Sequence, residues 1–564
     1  MKLSSLLPAI SMLALGVPAF AQNLDNSGTD FLCGFLPNYS NGDIELHISS
    51  VFSTNVTVEY PVNSPTFTTT VPVVPGTITT VALPATASQN WAADFVDNNM
   101  VRVTAPDEFT CYMINRAPFT SDAALALPVD TMNTEFIIAD YDGTSRAQFL
   151  VYAQFDNTTV TITPTVNMQG HAAGTPFQVS LNAGEGYLGT ATGLGVGTGL
   201  SGTLVESDRV IGVTNGNRCT NVPYGWGYCD HVFEVAQPVQ TWGNEYLIAN
   251  LPNRTGGDYY RVYASEDATD VFLDGVSSGI INRGEYLELG PLPGDHQIAS
   301  SGGEPIFVAQ FMSGSTTPGA TQGDPAMGNM VSTPQFKSAY TFSTVGGAQF
   351  VQHYLTVIAN DADLATITLD GAAIGAANFS AITGSGYSVA RILIQEGTHA
   401  TSSSQGHGIT VEGYNQDDSY LFPGGALFQF INNAGDTNPP ICTGVNFAAS
   451  FSGTATDNRP TEDTNGNGIL DAGEDLNGNG TIDADTGIFF VQLIPGSTNL
   501  DLNVTPFQPG DGTVTFTLSP TDPAMDGTGG ARITDGAGNT HDCNVNFVGS
   551  IGTAVCDPIA NSTG

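Results

Sequence analysis

Two adjoining runs of oxygen-bearing side chains in the C-terminal quarter of the chain have the spacing of calcium-binding loops. In the first, Asp463, Asn465, Asn467, Asp471 and Glu474 fall at loop positions 1, 3, 5, 9 and 12. Gly468 stands at position 6, where the chain must turn sharply, and Ile469 offers its carbonyl at position 7. In the second, Asp475, Asn477, Asn479 and Asp483 take positions 1, 3, 5 and 9, with Gly480 at 6 and the Thr481 carbonyl at 7. Its twelfth residue is Thr486, so the closing bidentate carboxylate is missing and Asp485 is its substitute. Calcium requires about six to eight hard oxygens around a tight turn, which this spacing supplies. No helical pattern flanks the loops, so they read as bare loops in a β-rich setting. The plain alternative is a solvated Asp/Asn/Gly insertion.

Other chemistry-bearing patterns have simpler explanations. Gly275-Val276-Ser277-Ser278-Gly279 fits the G-x-S-x-G nucleophile elbow, but that motif needs a helix after the strand, and here an extended run continues. A hairpin turn is the expected form. Gly197-Thr198-Gly199-Leu200-Ser201-Gly202 fits G-x-G-x-x-G, yet a strand follows it as well. Cys229-Asp230-His231 with Glu234 could suggest a metal or a nucleophile. In an oxidising compartment Cys229 is instead expected to bond Cys219 and close the loop around Pro223 to Tyr228. No metal-binding H-E-x-x-H or C-x-x-C pattern and no phosphate loop is present.

The elements that would carry these residues are strands. Short alternating runs such as Val56-Thr57-Val58-Glu59-Tyr60 and Val160-Thr161-Ile162-Thr163 recur, punctuated by 66 Gly and 32 Pro. Helical periodicity is almost absent, so the fold class is all-β. Lys2, the apolar stretch from Leu6 to Val17 and Ala19-Phe20-Ala21 form a signal peptide over residues 1–21, with cleavage before Gln22. An extracellular or cell-surface location follows, and no later run has the length of a membrane span. The formal net charge of -41, from 13 Lys+Arg against 54 Asp+Glu, disfavours nucleic acid and anionic lipid as partners.

Between residues 22 and 430 the pattern repeats. A Thr-rich strand recurs at Ser53–Val58, Asp156–Ile162, Asp267–Gly275 and Ala365–Gly371. A Gly-containing turn recurs at Pro75-Gly76-Thr77, Ala183-Gly184-Glu185 and Arg283-Gly284-Glu285. A later strand begins at Val101, with counterparts at Leu204–Val213 and Ile298–Phe311. The aromatics Phe31, Phe136, Tyr246, Tyr340 and Tyr420 mark four diverged β-modules of roughly 80–110 residues. Each aromatic is expected to plug a junction between modules. Asp122, Asp230, Asp324 and Asp418 also recur, and turn capping by Asx-type bonding is the expected role, with a metal or glycan contact as the alternative. Tandem β-sandwich-like modules are the expected arrangement, with a propeller-like one as the alternative. Cys33 and Cys111 are the only cysteines of the first module and are expected to pair; Cys556, in the 551–564 tail, is left over.

The series resembles the N-terminal region of the IgG Fc-binding protein family. The resemblance lies in Thr29-Asp30-Phe31 to Asn38, Ser121-Asp122 to Pro128-Val129, and Leu204 to Val210. Its most specific part is Cys229-Asp230-His231-Val232-Phe233-Glu234 followed by Pro238-Val239-Gln240-Thr241-Trp242-Gly243. Val308-Ala309-Gln310-Phe311, Gly323-Asp324-Pro325, Gly397-Thr398-His399 and Gly413-Tyr414 to Tyr420 complete it. It implies an extracellular, non-catalytic binding or surface-associated role. Fc binding is not implied, because the Cys-dense modules of the large animal members are missing. Residues 437–550 resemble hyalin-repeat-type immunoglobulin-like modules, from Asn438-Pro439-Pro440-Ile441-Cys442 to Thr534-Asp535-Gly536-Ala537-Gly538-Asn539 and Cys543. That resemblance implies a Cys442–Cys543 disulfide, with the calcium loops as an insertion at 463–486.

The reading is a secreted, adhesin-like, calcium-stabilised binding protein whose partner is an extracellular protein or glycan. A structural component of an extracellular layer is the alternative, and an extracellular hydrolase the third reading. Calcium gives the sharpest test. Asp463, Asp471, Glu474, Asp475, Asp483 and Asp485 crowd six carboxylates together with no Lys or Arg between them. A site with a dissociation constant of about 0.1–1 mM would be largely filled outside the cell. At ten times that constant it would stabilise the folded protein by about 1.4 kcal/mol. Titration calorimetry with calcium chloride is expected to show uptake, and Asp463→Ala with Glu474→Ala to remove the first site. A wild-type protein that takes up no calcium at millimolar concentration contradicts the reading.

Overall fold

The computed structural model describes residues 24–347, 349–432, 439–447, 450–457, 487–494, 497–505, 507, 510–536 and 540–548. The chain divides into a unit spanning Asn23–Gly435 and another from Asp436 onward.

Within the first unit, four modules share one strand plan, seen most plainly in the third. One sheet there orders Glu245–Ile248, His296–Ser300, Thr269–Leu273 and Val276–Ile281. The other orders Tyr286–Leu292, Asp258–Ala264, Ile306–Phe311 and Met327–Asn329. In the other modules a single 17-residue strand replaces the central pair: Val101–Ala117, Leu204–Thr220 and Thr398–Tyr414. Each long strand passes from one sheet of its sandwich into the other. Its first half alternates buried and partly exposed residues, because one face meets water; its second half is almost continuously buried, because both faces are covered. In the third module Gly302, Gly303 and Pro305 interrupt this strand.

Two of the elements that recur in the sequence are halves of one knot. In the second module Asp156 Oδ1 accepts from the Ala183 N–H at 3.0 Å, and Glu185 Oε2 accepts from the Asn182 N–H at 2.8 Å. In the third, Asp267 Oδ1 accepts from the Arg283 N–H at 3.1 Å and Glu285 Oε2 from the Asn282 N–H at 2.9 Å. The turn glycines Gly184 and Gly284 have φ of 75° and 77°, a region where a side chain is strained. Carboxylate and glycine therefore recur together because the turn requires both.

The modules close into a ring. The inner strands Thr120–Leu125, Asp230–Val235, Met327–Asn329 and Ser419–Pro423 are almost wholly buried, and each packs on the next, with the fourth returning to the first. After each of the first three, the chain makes a 3-10 turn, at Val129–Thr131, Val239–Thr241 and Thr333–Gln335, and enters the next module. The segment after Pro423 ties the second and third connectors to the start of the first module. The Leu427 N–H donates to the Gln335 carbonyl, Phe428 to Leu24 and Ile431 to Gln240, at 2.8, 2.8 and 2.9 Å. The scarce cations are concentrated at the junctions: Arg218 on the Asn38 carbonyl, Arg261 on Asp142, Arg391 on Asp295 and Lys337 on Asp25. The fold is thus tandem β-sandwiches, arranged with the circular closure of a propeller.

Phe31, Phe136 and Tyr246 do not plug junctions. Phe136 packs among Phe149, Val151 and Val205 of its own module, and Tyr246 among Tyr260, Val262 and Ile298 of its own. Phe31 packs on Phe109 within the first module, while Tyr420 lies on an inner strand. The reason is topological: the first strand of a module pairs with that module's long strand, so its aromatic faces the home core.

The second unit is a two-sheet sandwich. Ile441–Phe447, Ser450–Thr456, Thr513–Ser519 and Asp501–Val504 form one sheet; Ile488–Leu493, Gly527–Asp535 and Thr540–Phe547 form the other. Val514, Phe516, Leu518, Ile533 and Val545 fill the space between, following the alternation of the strands. Cys442 on the first strand and Cys543 on the last are joined by a disulfide, with Cα atoms 6.0 Å apart.

Candidate functional site

At the ring axis the inner strands run side by side and in the same direction, so their starts share one end. There Asp122 reaches across all three neighbours. Its Oδ2 accepts the N–H of Phe233 and of Met327, both at 3.2 Å, and its carboxylate also receives the Leu421 N–H. Burial pushes its pKa well above the usual carboxylate range, against the pull of these donors. Asp230, Asp324 and Asp418 lie near the same end. Asp230 is raised by burial first, and then by the charges of Asp418, Asp324 and Asp122. Burial lifts Asp324 to about 6 and Asp418 to about 7. Among the described residues Asp230 Oδ2 meets no donor, while the Asp418 carboxyl accepts from Gln349, Ser121 and the Ser419 N–H.

The expected turn capping by these aspartates is not their role: they gather near one another across module boundaries. Asp122 and Asp230 each bond the next residue's N–H, at 2.9 and 2.7 Å, with no Asx turn. Among the described residues no group of three His, Cys, Asp or Glu forms a metal-holding arrangement.

Directly before Asp230, the Cys219–Cys229 disulfide closes a loop at the same end, with Cα atoms 5.1 Å apart. Within it Tyr224, Trp226 and Tyr228 are 40%, 42% and 68% exposed. Asn221 fixes the loop from inside, its Nδ2 donating to the carbonyls of Trp226 and Tyr228 at 2.8 and 2.7 Å. Outside, the Gly314 N–H donates to the Val222 carbonyl at 2.9 Å. Tyr228 has φ of 59°, a conformation that bulky residues rarely adopt and that the surrounding bonds must hold. The sequence expectation for this segment is a disulfide loop alone. The signal for the aromatic display is the alternation of glycine and aromatic residues between the two cysteines.

The other singled-out residues are placed as follows. All the calcium-loop positions, Asp463 to Asp485, and Cys556 lie outside the described residues. The expected Cys33–Cys111 bond is not formed: both stand as buried free thiols. Cys33 opposes Val101 and Cys111 opposes Ile48 in the strand ladders. Burial raises the Cys111 thiol well above its ordinary value, with Cys33 adding to the shift, and this suppresses the thiolate that disulfide exchange needs. Gly275 lies in a hairpin turn between Thr269–Leu273 and Val276–Ile281. The glycine-rich loop at 197–202 already holds side chains of the protein itself: the Gly199 N–H donates to Asp142, and those of Leu200 and Ser201 to Asp140. His231 is buried between Asn217 and Asn115, and burial lowers it to about 3, so it stays neutral.

Comparison with known proteins places these features in a family context. The family model for IgGFc binding protein matches residues 122–413, more than half of the chain, beginning at the axial Asp122. Human IgGFc-binding protein is 26% identical over 385 residues, covering 66% of this chain and 7% of that protein. The chain thus matches a small part of the length of that curated relative.

The raised carboxylates set the direction of the pH dependence. Such a group binds more protons folded than unfolded between its two pKa values. Its stabilising contribution is complete below the unfolded value near 4 and is lost as pH climbs through the folded value. Asp324, at about 6, Asp418, at about 7, and the buried Glu412, at about 8, place that window between about pH 4 and 8. Scanning calorimetry is expected to show a melting temperature higher at pH 5.5 than at pH 8 by about 3 °C or more. Glu412→Gln, which keeps an acceptor for the Thr356 hydroxyl, should flatten part of that rise. A melting temperature that falls on acidification across this range contradicts the assignment.

Proposed function

The chain belongs to the IgGFc binding protein family, and from that premise we propose that it is an extracellular, non-catalytic binding protein of adhesin-like character. The ring is its interaction body, and calcium at Asp463–Asp485 stabilises its C-terminal sandwich. The observation that carries the reading is the loop at 219–229. It holds three aromatic side chains open to water on a support fixed by a disulfide, internal hydrogen bonds and the ring beneath. Exposed aromatics on a rigid base resemble the anchors of binding interfaces, where large contact area comes with little loss of conformational freedom. The relative named for IgGFc binding supports a partner outside the cell. For this chain the partner is an extracellular protein or a glycan.

An array of extracellular proteins and glycans probed with the purified protein tests this. Saturable binding to a defined partner, unaccompanied by its cleavage, is the expected outcome. Turnover of an array component, or no saturable binding to any, contradicts it.

A further inference from the structure

The aromatic loop belongs to an island of segments without charged side chains, bordered by the buried Asp324, on a strongly acidic protein. Three segments meet there: Thr192–Thr198, Thr220–Tyr228 and Gly314–Gly319. None contains Asp, Glu, Lys or Arg, in a chain with 54 acidic residues. They are joined directly. Tyr224 lies against Gly195, where a Cβ would stand 3.3 Å from its ring, and the Thr316 hydroxyl donates to the Gly227 carbonyl at 3.4 Å. Their exposed side chains include the three aromatic rings, the apolar Leu194, Val196 and Pro318, and the hydroxyl-bearing Thr192 and Thr316, while the half-buried Ser315 hydroxyl donates to Asp324. Glycines separate the rings, and a side chain at Gly225 would meet nothing within 4 Å, so the space beside Tyr224 and Trp226 is open.

We propose that this island is a binding site for a neutral glycan, with Tyr224, Trp226 and Tyr228 as its stacking platform. The inference rests on the binding-protein reading above and names the ligand class and the site. A pyranose ring presents a flat C–H face, which an aromatic ring covers, and uncharged hydroxyls at its edge, which hydroxyl and amide groups satisfy. An anionic glycan would be repelled by the net charge of -41 and would meet no cation in these segments. A cationic protein surface would be drawn to the acidic remainder of the molecule, and these segments offer it no carboxylate. The fixed loop removes the ordering cost that a mobile one would impose on a weak ligand.

The protein carries its own reporter. Of its three tryptophans, Trp91 and Trp242 are buried and Trp226 is exposed. Titration of tryptophan emission with neutral hexasaccharides of glucose, mannose, galactose and N-acetylglucosamine is compared with sulfated and uronic-acid hexasaccharides. At least one neutral hexasaccharide should shift the emission saturably and bind at least about tenfold more tightly than the anionic ones. Because Trp226→Ala deletes the reporter, affinities of variants are read by calorimetry. Trp226→Ala, and Tyr224→Ala with Tyr228→Ala, should each weaken binding by at least about tenfold, and Trp226→Phe should retain most of it. An unchanged melting temperature in each variant separates loss of the platform from loss of the fold. No response to any neutral hexasaccharide, or affinity unchanged in both alanine variants, overturns the proposal. A protein partner whose binding depends on Trp226 while no neutral glycan binds also overturns it, and leaves the binding-protein reading standing.

Discussion

Four β-sandwiches meet at the carboxylate of Asp122, which accepts backbone N–H groups from the inner strands of the other three modules. Inner strands buried on all sides cannot turn unused N–H groups to water. Each donor left without an acceptor would cost about 1–3 kcal/mol. A sandwich in isolation satisfies its strands by pairing, but four strands converging side by side leave donors facing the axis. One acidic side chain with several lone pairs meets donors from three directions, which a hydroxyl or an amide could not do as fully.

Much of the remaining architecture follows from this convergence. The connectors after the inner strands are fixed to the returning C-terminal segment through Gln240 and Gln335, so the end opposite the aspartates is also held. The junctions between modules use the few cations available to a chain with 54 acidic residues. Arg261 is the fullest case: its guanidinium lies 4.3 Å from the Tyr141 ring centre and 4.5 Å from that of Tyr286, and it pairs with Asp142 and Glu288. The aromatic loop owes its rigidity to the same support, since Cys229 directly precedes the inner strand that begins at Asp230.

What could be read from the sequence was local. Strand periodicity is visible because one face of each outer sheet meets water, and the Asp–Gly–Glu turn elements recur because the knot needs those residue types. The Cys219–Cys229 bridge was legible because the two cysteines are 10 residues apart. Ring closure was not, because the partners of Asp122 lie 111 and 205 residues away and are main-chain donors, which carry no residue signature. The recurrent aromatics were visible as a series, but whether each faced its own core or a neighbour depended on which strands pair. Cys33 and Cys111 lie on paired strands with their thiols in contact, and composition carries no mark of whether two such buried thiols bond.

Amide hydrogen exchange at three positions tests the axial role of Asp122 most directly. In the wild-type protein the amides of Phe233, Met327 and Leu421 should exchange among the slowest, although each belongs to a different module. In Asp122→Ala all three should lose protection together, while amides in the outer sheet of the third module, such as Val271, keep theirs. Retained protection at all three, or loss at one alone, would contradict the account, because the inner strands would then be held by their own modules and not by a shared carboxylate.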